Sequence, residues 1–176
     1  MPMRRREVLI GGASLFVAGG GALVATGAGR DDATSIEPVE IETLDAPGSE
    51  SGTTFVPEPG RVTYLEVFAT WCSVCRSMMP RIASVHGTFG EEIQFASVTN
   101  EPIGNTTARA DVVDWWDRND GAWTVGIDDE LVLTERLDAS GVPYSFVIDA
   151  ENRITWSHRG AIEASTIEAR IRDARR

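Results

Sequence analysis

Residues 69–80 read "ATWCSVCRSMMP" and hold both cysteines of the chain, Cys72 and Cys75, separated by Ser73 and Val74. The stretch lies where the sequence changes period. Before it, "RVTYLEVFA" (61–69) is dense in Val, Tyr, Leu and Phe and predicts a central buried strand. After it, Val74, Met78, Ile82 and Val85 recur at helical spacing and predict a helix over 73–86, with Pro80 kinking it. The junction places Cys72 at the first helical turn, where unpaired N–H groups and the helix dipole stabilise an anion. A thiolate is such an anion, and Cys75 one turn further on is expected to be the more buried of the two. This geometry assigns attack on a substrate sulfur to Cys72 and resolution of the mixed disulfide to Cys75. Arg76 adds positive potential beside the pair. Glu66, six residues before Cys72 in an otherwise apolar strand, is the candidate base for Cys75. Its alternative is a solvent-facing place at the strand end.

Three uses of a Cys-x-x-Cys compete. A structural zinc site needs four ligands; the chain offers two Cys and two His, and His86 and His158 have no finger-like spacing to the cysteines. A structural staple across so short a loop removes little unfolded-state entropy, and a domain of about 140 residues buries enough surface to fold without one. Redox chemistry is the reading the pair favours, with a static disulfide as the alternative.

The chain has 176 residues, which suits one domain and a short extra segment. Its 27 acidic residues outnumber 16 basic ones, for a net charge of −11, and every basic residue is Arg. Such a surface repels nucleic acid and anionic lipid. It resembles proteins adapted to high salt; an Arg-favouring, GC-rich genome is the plainer explanation of the missing Lys.

Residues 1–29 read as an address. A basic start at Arg4–Arg6 is followed by an uncharged, Gly- and Ala-rich run from Val8 to Gly29. "RRREVLI" resembles a twin-arginine export signal, two arginines followed by one residue and two apolar ones. The alternative is a membrane anchor through residues 8–29. Either places the domain outside the cytoplasm, where disulfides persist. Residues 30–38 read as a polar linker, and 39–176 as the folded domain.

Within that domain "VEIETL" predicts a short edge strand, and "TTFVPEPG" an irregular strand or loop because two prolines interrupt it. "IQFASVT" and "WTVGID" predict strands. "NTTARADVVDWWDRNDG" predicts a helix burying Ala108, Val112, Trp115 and Trp116, and "DELVLTERLD" a short one. "YSFVID" and "RITWSHRG" predict a hairpin. "STIEARIRDARR" predicts a closing helix with a Ser165/Glu168 capping box and Ile167 and Ile171 inward. Strands alternating with helices give an α/β three-layer sandwich around a central mixed β-sheet, with an N-terminal strand extension.

The segment "FATWCSVCRSMMP", with Pro80 five residues after the second Cys, resembles the active-site segment of thioredoxin-like proteins, closest to the exported TlpA/ResA/CcmG type. "GVPYSFVID" (141–149) resembles that family's second motif. The resemblance covers about 39–176 and implies a thioredoxin-like fold and a thiol–disulfide oxidoreductase with a Cys72–Cys75 redox disulfide. By it, Pro143 is a cis-proline opposite the cysteines, and Val142 offers backbone hydrogen bonds to an extended substrate. Tyr144 replaces a common Thr and shapes the groove, and Gly160 matches the glycine before the last helix. Glu66 matches the buried acid of thioredoxin, where many TlpA-type members are neutral. No cofactor beyond the dithiol is implied. The implied partners are protein disulfides or thiols and a membrane thiol electron donor, with a place in cytochrome c maturation. A disulfide-donating oxidase and a non-catalytic peptide-binding domain are the alternatives.

Trp71 is expected at the rim of the site; Trp115, Trp116, Trp123, Met78 and Met79 in the core; His86 at a helix end without a role; His158 in solvent. Asp128–Glu130 is expected to be a solvated helix start rather than a cation site.

Overall fold

The structure, a computed structural model, describes residues 34–176. The signal or anchor expected at 1–29 therefore lies outside the described residues. A seven-stranded mixed sheet runs in the order β2-β1-β5-β4-β3-β6-β7. The strands are β1 (Val39–Thr43), β2 (Gly52–Val56), β3 (Thr63–Phe68), β4 (Gln94–Thr99), β5 (Thr124–Ile127), β6 (Tyr144–Ile148) and β7 (Ile154–Arg159). The helices are α1 (Ser73–Phe89), α2 (Arg109–Arg118), α3 (Val132–Arg136) and α4 (Ala164–Ala174).

β3 and β4 are parallel, as are β4 and β5, while β6 returns antiparallel to β3. Period-two alternation divides the sheet residues between two layers. Tyr64 and Phe68 of β3 pack with Met78, Ile82, Val85, Val112, Trp116, Ile167 and Ile171, so α1, α2 and α4 cover one face. Leu65 and Val67 pack on the other face with Ile41, Phe146, Leu133 and Leu137, where α3 lies. The three-layer sandwich follows from that division.

Several expectations need correction. β1 is interior, flanked by β2 and β5. β2 is a regular strand paired residue for residue with β1, because Pro57 and Pro59 lie just beyond its last residue. The linker reading of 30–38 fails from residue 34: Ile36 is buried, its N–H donates to Asn152 O, and Ile154 N–H donates to Thr34 O. α1 runs to Phe89, and Val74 is exposed on it while Cys75 takes the buried position. α4 starts at Ala164 with Glu163 as its N-cap residue, so Ser165 lies within the helix and forms no capping box. Arg81 fixes that entry, donating to Ile162 O at 2.8 Å and pairing with Glu163. Asp128 is buried rather than solvated: its carboxylate accepts from Leu133 N, Thr134 N and Thr134 Oγ1 and holds the start of α3.

Candidate active site

Cys72 is the N-cap residue of α1, with extended backbone (φ −82°, ψ 108°), and its Sγ accepts from Cys75 N–H at 3.1 Å. The helix therefore begins by directing a backbone donor at the sulfur that would carry negative charge when reduced. Cys72 and Cys75 are joined as a disulfide, with their Cα atoms 5.3 Å apart. Cys75 is fully buried and Cys72 retains 6% exposure. Trp71 beside them is 73% exposed and projects from the site.

The other motif meets this end of the sheet through strand register. Tyr144 opens β6 opposite Val67 near the end of β3, so the preceding Pro143 lies at the end of the sheet from which Cys72 emerges. The Val142–Pro143 peptide bond is cis, and Pro143 O accepts from Gly160 N–H at 2.9 Å. Val142 packs against both layers. The Tyr144 ring stacks on Phe146 and packs in the α3 layer, on the opposite face from α1.

Glu66 is completely buried. It lies between Tyr64 and Phe68 in the alternation of β3, and both pack in the layer that holds the two cysteines and α1. Register sets Ser97 of β4 and Ser145 of β6 on either side of it. Ser97 Oγ donates to Glu66 Oε2 over a long 3.4 Å and itself accepts from Trp123 Nε1 at 2.9 Å. Ser145 Oγ pairs instead with the Tyr64 hydroxyl at 3.1 Å. Glu66 Oε1 has no partner. Burial pushes the Glu66 carboxyl up to about 8, against a small opposing effect of the Ser97 hydrogen bond. Burial, with the neighbouring Glu66 charge second, also pushes the Tyr64 phenol up.

Sequence reasoning missed Glu101. It is buried at 4% exposure in the segment joining β4 to α2. Its Oε2 accepts from Thr70 N at 2.6 Å and Thr99 Oγ1 at 3.1 Å, and its Oε1 from Thr70 Oγ1 and Thr107 Oγ1, each at 2.9 Å. One carboxylate thus ties the turn that presents Trp71 and Cys72 to the segment after β4. The only signal in the sequence is a cluster of Thr around an acid, which by itself specifies no partner.

Trp115, Trp116, Trp123, Met78 and Met79 are core residues, and His158 is exposed in β7. His86 is more involved than expected, its ring edge-on to Phe95 and tilted on Trp123. No cluster of His, Cys, Asp or Glu suited to a metal ion occurs among the described residues.

A strand–Cys-x-x-Cys–helix junction at one end of a mixed sheet, beside a cis-proline, defines the thioredoxin-like class, and this chain is a thiol–disulfide oxidoreductase of that class. The Redoxin family profile matches residues 39–171, and the chain belongs to that family. It is similar to the thiol:disulfide interchange protein DsbE of Escherichia coli, with 27% identity over 188 residues covering 96% of this chain and 93% of the relative. Among solved structures, a thiol:disulfide interchange protein DsbE from Chlorobium tepidum superposes with a TM-score of 0.67 at 21% identity, covering 83% of this chain and 99% of the other. A secreted disulfide oxidoreductase of Mycobacterium tuberculosis gives a TM-score of 0.64 at 14% identity, covering 77% and 95%. These structures share the fold.

Proposed function

We propose that the protein reduces disulfides of polypeptides outside the cytoplasm. The observation that carries this is the placement of Cys72 as the N-cap of α1, joined to a fully buried Cys75. In the reduced protein the Cys72 thiolate attacks one sulfur of the substrate disulfide. That S–S bond breaks, a mixed disulfide forms, and the other substrate sulfur leaves as a thiolate and takes up a proton. Cys75 then attacks Cys72 Sγ, closes the Cys72–Cys75 disulfide and releases the second substrate thiol. The substrate gains two electrons and two protons; the protein gives up two electrons and the Cys75 proton, and the second proton comes from solvent, to which Cys72 had already released its own.

Cys75 must shed its proton within the core. Glu66 is buried in the same layer, and its raised pKa suits a carboxyl that takes up a proton near neutral pH. Val142 and Pro143 form the groove wall, with the Val142 backbone pairing to an extended substrate. Trp71 forms its exposed rim, and the Tyr144 backbone continues it. Ser73-Val74 lacks the His that would favour a strong oxidant, which supports the reducing direction. A membrane thiol donor would regenerate the dithiol, and apocytochrome c is a candidate substrate by family resemblance. Residues 1–29 would supply twin-arginine export or an anchor, and the acidic surface suits high salt.

The reduction potential tests the direction. Equilibration with thiol buffers should give a value near roughly −270 mV, whereas roughly −120 mV would make the protein a disulfide donor. Cys75→Ser should accumulate mixed disulfides through Cys72; a variant that traps none would leave only a static disulfide in a binding domain.

A further inference from the structure

Between α1 and the end of α2 an open cleft of ≈ 430 Å³ is lined by Arg76, Trp115, Arg118 and Asn119. Arg76 directly follows Cys75 in the first turns of α1. Trp115 comes from α2, and its ring stacks on Phe68 at 4.9 Å and 22°. Phe68 ends the strand that delivers Cys72, so one wall of the cleft rests on the support of the reactive thiol. Asn119 Nδ2 donates to Trp115 O at 2.7 Å and fixes the end of α2. The Trp115 indole N–H is buried and has no acceptor.

Two cations converging here are out of keeping with the rest of the molecule. The chain carries −11, and most of its described arginines are committed to carboxylates. Arg76 pairs with no carboxylate among the described residues, and Arg118 has only Asp114 at 3.9 Å, both of them 68% exposed. An exposed pair at that distance holds the guanidinium weakly. Guanidinium groups bind carboxylates through paired N–H donors. Arg76 N–H donates to Cys72 O, so Arg76 stands one helical turn from the cysteine that a substrate sulfur must reach.

We propose that this cleft is a carboxylate subsite of the substrate groove, taking an acidic side chain a few residues from the cysteine of the polypeptide being reduced. The subsite rests on the reading of the protein as a reductant of polypeptide disulfides. The acidic surface elsewhere repels the same peptide, so the cleft sets its register as well as its affinity.

Two synthetic peptides with one intramolecular disulfide each, differing only in Glu or Gln three residues from a cysteine, test the subsite. Second-order rates of oxidation of the reduced protein are followed by tryptophan fluorescence at low ionic strength. The Glu peptide should react roughly fivefold faster with the wild type, and the preference should shrink with added salt. Arg76→Gln and Arg118→Gln should each bring the ratio towards one, and Arg118→Glu should take it below one. Taking the ratio within each variant cancels any change in Cys72 reactivity. Equal wild-type rates, or a preference that survives both arginine substitutions, would overturn the subsite and leave the proposed function standing. If neither peptide reacts while neutral dithiodipyridine oxidises the pair, the proposed function falls and the subsite with it.

Discussion

Replacing Glu66 with Gln should remove a pH dependence built into the core. Burial raises the carboxyl from its ordinary 4.5 to about 8. Between those values the native protein holds a proton that the unfolded chain has released. The associated stability is therefore complete below the unfolded value, is lost as pH rises through the folded value, and is flat beyond it. At about 1.36 kcal/mol per pH unit, the ceiling is about 5 kcal/mol. Water entry and relaxation around the charged form reduce it, so a loss of about 2–4 kcal/mol between pH 5 and pH 9 is expected. Gln has nearly the shape of the protonated acid and stays neutral. Urea unfolding of the disulfide-bonded protein at pH 5, 7 and 9 measures the difference between Glu66→Gln and wild type, in which the other titrating groups cancel. The variant should gain relative stability from pH 5 to about pH 8 and no more beyond it. A constant offset across the range would mean that Glu66 ionises near its ordinary value, and the proton-relay role would lose its basis.

Two further substitutions test how the fold is held. Glu101→Ala removes an acceptor for Thr70, Thr99 and Thr107 and strands the Thr70 N–H, so urea unfolding should show a loss of about 3 kcal/mol; a loss below about 1 kcal/mol would show that water replaces these bonds. Gly48 has φ +75° and would place a Cβ 2.0 Å from the Ala122 carbonyl carbon. Gly48→Ala should therefore cost about 3 kcal/mol or more, and a variant as stable as wild type would disprove that close approach.

Most of the architecture was legible because it rests on local pattern. The switch from a dense apolar strand to helical spacing at Cys72 located the centre of the sheet and the first helix together. The strand "VEIETL" was equally plain, but alternation cannot say which neighbours a strand will find, and β2 covers the side expected to be an edge. The prolines hid β2 because their effect depends on whether they fall inside a strand or just past it. At α4, Ser165 and Glu168 have capping-box spacing, yet Arg81, distant in sequence, holds residues 162–163 and starts the helix sooner. The same limit applies at the site. The cysteines and Pro143 carry their meaning in short motifs. Glu101, and the cleft between Arg76 and Arg118, depend on which segments pack side by side.

Glu66 shows both sides of this. Its place in an apolar strand raised two readings, a solvent-facing strand end and a buried acid, and the period of β3 could not choose between them. Packing decides it. With β4 and β6 on either side and α1, α2 and α4 over the face of Tyr64 and Phe68, Glu66 is closed off from water. The fold gives the carboxyl little in return: one long bond from Ser97, and nothing for Oε1. An apolar side chain there would pack against Tyr64 and Phe68 without that desolvation penalty. Stability therefore gives no reason for an acid at this position. The proton transfer proposed for Cys75 would, because a carboxyl whose pKa is raised towards neutral in the layer where Cys75 lies is suited to take up and return that proton.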